Sequence, residues 1–134
     1  MALSIPISIP ISIPISIGEL WDKYTILLIK KEKIKDYNKL IHINLEINKL
    51  DEFINKYSYK DNNLFINLIN INKKLWDIED KLRIKEKNKH FDSEFIELAR
   101  SVYYNNDKRA EIKKEINNNF NSIIHEIKDY IDYK

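Results

Sequence analysis

The fold of this chain is decided by the stretch SIGELWDKYTIL, residues 16–27. It opens with a capping box, in which Ser16 takes the N-cap position and Glu19 the third helical position, while Ile15 and Leu20 stand where a hydrophobic staple would. Apolar residues then follow at helical spacing, at Leu20, Tyr24, Leu27, Leu28 and Ile34. The stretch therefore predicts a helix that begins after Ser16 and buries one face.

The same spacing predicts further helices downstream. A second helix is expected over about 38–56 and a third, longer one over about 64–87. Asp92 or Ser93 is expected to cap a short fourth helix, and the run Asn105-Asn106-Asp107 to end it and start the last one.

The last helix is expected to carry a long apolar stripe, with Asn117-Asn118-Asn119 as a weak point or break. The stripe consists of Ile112, Ile116, Phe120, Ile123, Ile127 and Ile131. Because each helix has one apolar face, the helices must pack on one another. The expected fold class is an all-α bundle of four to five helices, with residues 16–134 as the helical bundle domain.

Residues 1–15 form a separate, extended segment that contains the repeat Ser-Ile-Pro-Ile. Every Ile of the repeat is odd-numbered, so an extended chain places them all on one face. Pro6, Pro10 and Pro14 remove backbone donors from the other edge, which allows an edge strand or a polyproline-like tail but no central strand. Three interpretations stay open: an expanded tail, a strand packed on its own helices, or a strand that pairs with its copy and makes a homo-oligomer.

Composition excludes several classes of protein. The 134 residues carry a net charge of +2 with acidic and basic residues interspersed, so no basic stripe predicts nucleic-acid binding. No apolar run reaches the roughly 18 residues that a membrane span takes, so no membrane partner is expected. The apolar N-terminus lacks the basic region of a signal peptide, and the expected location is the cytoplasm, or the host cytoplasm for a viral protein.

The sequence also lacks the motifs of common cofactor sites. Gly18 is the only glycine, which excludes the glycine-rich phosphate loops. There is no cysteine, and the three histidines stand apart from other metal ligands, so no metal site and no cofactor are expected.

Arginine is scarce and concentrated. Of the 23 Lys and Arg residues only Arg83, Arg100 and Arg109 are arginine, in a chain rich in Ile, Asn, Lys and Tyr as encoded by AT-rich genomes. An arginine retained in such a background indicates a task that lysine cannot perform, such as the bidentate grip of a carboxylate or phosphate.

These arginines lie near carboxylates and tyrosines at helical spacing, which predicts a ligand-binding site. The predicted site consists of Glu19, Asp22, Lys23, Glu79, Arg83, Glu86, Arg100, Tyr103, Tyr104, Asn106, Asp107 and Arg109. Asn106, Asp107 and Arg109 are expected at the start of the last helix, where free backbone N–H groups attract anions.

Each member of this set also has a structural interpretation. Glu79 and Arg83 can form an ordinary exposed ion pair, Asp107 can serve only as an N-cap, and Arg100 can bridge two helices. The two tryptophans, Trp21 and Trp76, can pack in the core or stack on a sugar or base.

Several stretches resemble one small family of unknown function found in bacteria and some viruses. The resemblance rests on residues 16–27, which match an S-x-G-E-L-x-D-K-x-T-I-L opening, on Leu75-Trp76-Asp77-Ile78-Glu79-Asp80, and on residues 91–110. The Ser-Ile-Pro-Ile repeat departs from the family pattern. Because relatives are associated with polysaccharide and lipopolysaccharide biosynthesis proteins, the resemblance implies a role related to sugars or nucleotide sugars.

Three functions follow as hypotheses. The first is binding of an anionic small molecule, such as a nucleotide, sugar phosphate or nucleotide sugar, with the three arginines meeting on the anion. The second is a Mg²⁺-dependent nucleotide hydrolase; its candidate metal ligands are Glu19, Asp22, Glu79, Glu86 and Asp107. The third is a structural protein that assembles through its Ile face. No catalytic residue can be assigned.

Overall fold

A computed structural model describes residues 10–57, 59–60 and 62–134. Within these residues the chain forms four helices and no strand: α1 (Ile17–Lys33), α2 (Tyr37–Ile54), α3 (Asn63–Lys87) and α4 (Ser93–Asn119). The all-α bundle is therefore confirmed, with four helices. None of these helices combines the length and apolar character needed to cross a membrane.

The predicted start of α1 is confirmed. The hydroxyl of Ser16 accepts a hydrogen bond from the backbone N–H of Glu19 at 3.1 Å. The Glu19 carboxylate accepts from Lys113 Nζ at 2.8 Å, so the residue that completes the capping-box motif also ties α1 to α4.

Helix α1 lies at the centre of the bundle and contacts α2, α3 and α4, while α3 also packs along α4. Its Trp21 is fully buried and meets Phe65 and Phe120 edge to face, with ring centroids 5.6 and 5.1 Å away. Of the two roles considered for Trp21, core packing is the one observed.

Gly18 lets α1 and α4 approach closely. A Cβ atom built on Gly18 would lie 2.7 Å from the backbone oxygen of Lys113 and 2.8 Å from Asn117 Oδ1. The Gly18 N–H donates to the same Asn117 oxygen at 2.7 Å, which satisfies a donor that has no partner inside α1. The single glycine thus stands at the closest crossing of these two helices.

The predicted break at Asn105-Asn106-Asp107 is wrong, because α4 runs through it without interruption. Asn105 is buried, and its amide donates to the Ser101 carbonyl of its own helix at 2.6 Å, so it supports the helix rather than ending it. Asp107 is not an N-cap; that role belongs to Asp92, which accepts from the N–H of Phe95 at 2.9 Å. Packing of α4 along α3 outweighs the weak helix propensity of the Asn-Asn-Asp run.

The helical stripe predicted beyond Asn119 is also wrong. Asn121 adopts a positive φ of 52°, and the N–H of Ser122 donates to the Asn117 carbonyl at 2.8 Å, which is the Schellman motif that ends a helix. The chain then turns back along α4, and Ile123, Ile127 and Ile131 are 96, 86 and 94% exposed. The weak point at Asn117-Asn118-Asn119 is where the helix ends.

The described part of the repeat, residues 10–15, has no regular structure. Ile11 and Ile13 are 90 and 69% exposed, and Ile15 is 39% exposed just before the helix begins. The alternatives for residues 1–9 fall outside the described residues.

Candidate functional site

The centre of the polar structure is the carboxylate of Asp22, which is only 2% exposed on the inner face of α1. Arg109 of α4 grips both its oxygens: Nε donates to Oδ1 at 2.9 Å and Nη2 donates to Oδ2. Lys113, one turn further along α4, lies 3.5 Å from Oδ2. The burial of Asp22 is possible because two cations compensate its charge.

The third helix contributes Asn72 to this cluster. Its amide nitrogen donates to Asp22 Oδ1 and to the Thr25 hydroxyl, both at 2.9 Å. Thr25 in turn donates to the Asp22 backbone carbonyl at 2.8 Å. The polar residue Asn72 stands at the spacing of the buried α3 stripe, four residues after Leu68, and that is the signal by which sequence reasoning could have found it.

Lys113 joins the centre to the C-terminal segment. Its ammonium, in a side chain that is 9% exposed, donates to Glu19 at 2.8 Å and to Glu126 at 3.0 Å. Sequence reasoning missed Lys113 and Glu126, since lysine is abundant here and Glu126 was assigned to a helix that does not form.

These contacts fix the protonation states of the cluster. Burial opposes ionisation of Asp22, but the hydrogen bonds from Arg109 and Asn72 outweigh it and hold the pKa of Asp22 below its usual value. Burial likewise opposes the charge of Lys113, and hydrogen bonds to Glu19 and Glu126 leave its pKa raised. At neutral pH Asp22, Arg109 and Lys113 are therefore all charged.

A groove of about 550 Å³ runs between α3 and α4 on one side of this centre. We call it the α3–α4 groove. Its walls include the apolar side chains of Leu75, Trp76 and Val102. Its polar lining consists of Asn72, Glu79, Asp80, Arg83, Asn106 and Arg109.

A smaller hollow of about 240 Å³ lies beside the N-terminal half of α1. We call it the α1 hollow. It is lined by Glu19, Asp22, Lys23, Ile26, Leu27, Lys30, Glu46 and Arg109. Ile26 and Arg109 line both cavities, so the α1 hollow and the α3–α4 groove adjoin across these two side chains.

The three arginines do not meet. Arg109 and Arg83 both line the α3–α4 groove, where the Arg83 side chain is 80% exposed with Glu79 3.7 Å away. Arg100 lies nine residues before Arg109 on the same unbroken helix, and at about 100° per residue the two leave α4 on opposite sides. The expected convergence of all three depended on the break that α4 does not have.

Arg100 belongs to a cluster of tyrosines on the far side of α4. It donates to Glu97 at 3.1 Å and to the Tyr104 hydroxyl at 2.9 Å. Tyr103 and Tyr104 both contact Tyr133 of the C-terminal segment, with ring centroids 4.9 and 5.2 Å away.

Asp107 takes part in the same cluster, where its carboxylate accepts from the Tyr133 hydroxyl at 2.6 Å. The remaining predicted residue, Glu86, is exposed near the end of α3 and lies 3.6 Å from Lys89. The predicted residues thus separate into the α1 hollow (Glu19, Asp22, Lys23, Arg109), the α3–α4 groove (Glu79, Arg83, Asn106, Arg109) and the tyrosine cluster (Arg100, Tyr103, Tyr104, Asp107).

The described residues contain no group of three or more His, Asp or Glu side chains arranged to hold a metal ion. Both carboxylate oxygens of Asp22, one of the candidate ligands, accept hydrogen bonds from Arg109.

Comparison with known proteins identifies one family. Residues 11–133 match DUF6165, a family of unknown function, and the chain belongs to this family. No curated protein and no solved structure matches the chain.

Proposed function

We propose that this member of the DUF6165 family binds a small anionic molecule, such as a nucleotide, sugar phosphate or nucleotide sugar, in the α3–α4 groove. The observation that carries the proposal is the state of Arg109. Asp22 holds its Nε and Nη2, while among the described residues its Nη1 has only a 3.4 Å contact with Asn106, which lines the same groove. A guanidinium fixed in this way offers a donor to an anion with little loss of conformational freedom.

The rest of the groove suits a ligand that is part apolar and part charged. Trp76 is half-buried and lines the groove, where its ring can stack on a sugar or a base. Arg83 adds a cation at the rim, where its weak contact with Glu79 leaves it able to turn toward a ligand. The volume of about 550 Å³ falls within the range of small-molecule sites.

Trp76 provides a built-in reporter for the test. The chain has two tryptophans, and the other, Trp21, is fully buried in the core. Addition of nucleotides, sugar phosphates or nucleotide sugars should change the fluorescence of the wild type, and Trp76→Phe should abolish the change. Nucleotide sugars belong in this panel because the sequence resembles proteins associated with polysaccharide biosynthesis.

Calorimetry on matched arginine variants tests the roles within the groove. Arg109→Lys should weaken binding about tenfold or more, because a lysine cannot both hold Asp22 and present a second nitrogen. Arg83→Gln should weaken it about two- to fivefold, the effect of one exposed ion pair. Arg100→Gln is the control and should bind as the wild type does. The proposal is refuted if no ligand of the panel binds to the wild type, or if Arg100→Gln weakens binding as much as Arg83→Gln does.

The hydrolase alternative has less support from the geometry. Its candidate ligands are dispersed, since Glu19 and Asp22 pair with Lys113 and Arg109, Glu79 and Glu86 lie on the exposed side of α3, and Asp107 bonds to Tyr133.

Assembly into a homo-oligomer is the second candidate function. The exposure of Ile11 and Ile13, at 90 and 69%, is the observation that favours it, because soluble proteins usually cover such rows. Deleting residues 2–14 and measuring the mass in solution tests the idea. If the truncated and full-length proteins form particles with the same number of chains, the repeat does not hold an assembly together.

A further inference from the structure

The α1 hollow is distinct in chemistry from the α3–α4 groove that it adjoins. The groove has an aromatic and aliphatic wall, whereas the α1 hollow places Lys23, Lys30 and Arg109 around a small space. At about 240 Å³ the hollow is smaller than the sites that enclose whole small molecules, which start near 300 Å³. Its size suits one charged group of a larger ligand.

The carboxylates of the α1 hollow and its surroundings match the cations in number, so its preference for an anion depends on which cation lacks a partner. Three carboxylates, Glu19, Asp22 and Glu46, offset its three cations. Lys113, directly behind them, donates to Glu19 at 2.8 Å and lies 3.5 Å from Asp22, but it also donates to Glu126 at 3.0 Å, so the pair adds no net charge.

The cations of the hollow are also accessible. Lys23 is half-exposed, and its ammonium forms an ion pair with the half-exposed Glu46 at 3.2 Å. Lys30 is half-buried, and no carboxylate of the described residues lies within ion-pair distance of it. An entering anion would therefore gain partners without first breaking a buried pair.

The two cavities meet at Arg109, the residue that binds the anion in the proposed function. Arg109 stands between the Trp76 wall on one side and the lysines of the α1 hollow on the other. We infer that the ligand has at least two linked phosphate groups, as in a nucleoside diphosphate: the base lies against Trp76, the first phosphate meets Arg109, and the second enters the α1 hollow between Lys23 and Lys30. This inference rests on the proposed binding in the groove.

The test compares nucleotides that differ by one phosphate. Calorimetry with AMP and ADP, and with UMP and UDP, measures the contribution of the second phosphate for two bases. The wild type should bind the diphosphate of the recognised base about tenfold more tightly than its monophosphate, as charge-assisted contacts predict. Raised salt should reduce this difference, because the α1 hollow is open to solvent.

Lysine variants locate the second phosphate. Lys30→Gln should bring the diphosphate close to the affinity of the monophosphate and leave the monophosphate unchanged. Lys31→Gln is the matched control, because Lys31 is exposed and outside the hollow, and it should retain the full difference.

The outcomes separate the two proposals. Equal affinities for mono- and diphosphate in the wild type, or a Lys30→Gln variant that weakens both alike, would overturn the inference and leave ligand binding in the groove intact. If none of the four nucleotides binds while a sugar phosphate does, the inference fails and the groove proposal stands. If no member of either panel binds, both fail.

Discussion

At the scale of single residues, the buried carboxylate of Asp22 has the most consequences. It joins three helices, through Arg109 and Lys113 of α4 and Asn72 of α3. A buried ion pair gives little net stability when compared with apolar replacements, but removing one partner leaves a charge uncompensated. A substitution of Asp22 alone should therefore destabilise the fold, whereas replacement of the whole ion pair by apolar residues would not.

We predict that Asp22→Asn lowers the free energy of unfolding by about 3 kcal/mol, because Arg109 and Lys113 lose their shared counter-charge. Urea denaturation measures this change. The control is Asp77→Asn, since Asp77 is 59% exposed and lies 3.9 Å from Lys33, and it should cost less than about 0.5 kcal/mol. Similar stabilities for the two variants would show that the buried network is energetically neutral.

We predict that Gly18→Ala lowers the free energy of unfolding by about 1–3 kcal/mol, since the added methyl group overpacks the crossing of α1 and α4. The shortest contact would be 2.7 Å to the backbone oxygen of Lys113, which cannot turn away as a side chain can. Thermal unfolding checks the cost. The double variant Gly18→Ala/Asn117→Ala should not recover wild-type stability, and recovery would mean that only the Asn117 side chain limits the space.

At the scale of the elements, the structure differs most from the sequence-based prediction in α4 and the segment that follows it. The helix continues through Asn105-Asn106-Asp107 and ends in a Schellman turn at Asn121, after which the chain returns along α4. Two hydrogen bonds hold the return, Glu126 to Lys113 at 3.0 Å and Tyr133 to Asp107 at 2.6 Å, together with the packing of Tyr133 on Tyr103 and Tyr104. The hydrogen bond to Asp107 raises the pKa of Tyr133 to about 12.

We predict that deleting residues 123–134 leaves the helix content per molecule unchanged, because that segment contains no helix. The loss of stability should be about 1–3 kcal/mol, because the deletion takes Glu126 away from the largely buried Lys113 and also removes the exposed contacts of Tyr133. Far-ultraviolet circular dichroism and urea denaturation measure the two quantities. If the deletion removes the helix signal of about twelve residues, then the last helix extends beyond Asn119, as the Ile stripe predicts.

At the scale of the whole molecule, the ionised network links stability to pH. The pKa of Asp22 is held below its usual value, so the unfolded chain binds more protons than the folded chain as the pH falls past about 4. The stabilisation from Asp22 is complete above the unfolded pKa and is lost as the pH falls through the folded pKa. Glu126 and Asp92, whose pKa values are also lowered by hydrogen bonds from lysines, act in the same direction.

We predict that the unfolding temperature of the wild type falls steadily between about pH 4 and pH 2, because the three carboxylates gain protons more readily in the unfolded chain. Asp22→Asn should start lower at pH 7 and decline less over this range. Calorimetric scans across the series measure both. If the unfolding temperatures of the two proteins fall in parallel as the pH is lowered, the folded-state pKa of Asp22 is not lowered.

The whole molecule also shows how far sequence reasoning reached toward the site. It selected Asp22 and Arg109, which do meet, and Arg83 and Asn106, which line the same groove as Arg109. It grouped Arg100 with them because of the supposed break in α4. In the unbroken helix, nine residues make about two and a half turns and place Arg100 and Arg109 on opposite sides. The cytoplasmic location and the homo-oligomer remain predictions.

The sequence by itself determined the all-α class, the start of α1 after Ser16 and a helix start at Asp92 or Ser93, and it marked Asn117-Asn118-Asn119 as a weak point or break. These features depend on residues within a few positions of one another, so helical spacing and capping chemistry are enough to predict them. Only the tertiary structure decided the continuity of α4, the return of the C-terminal segment and the meeting of Asp22 with Arg109, 87 residues apart. Their free energies come from contacts between helices, and local propensity contains no information about which helix lies alongside.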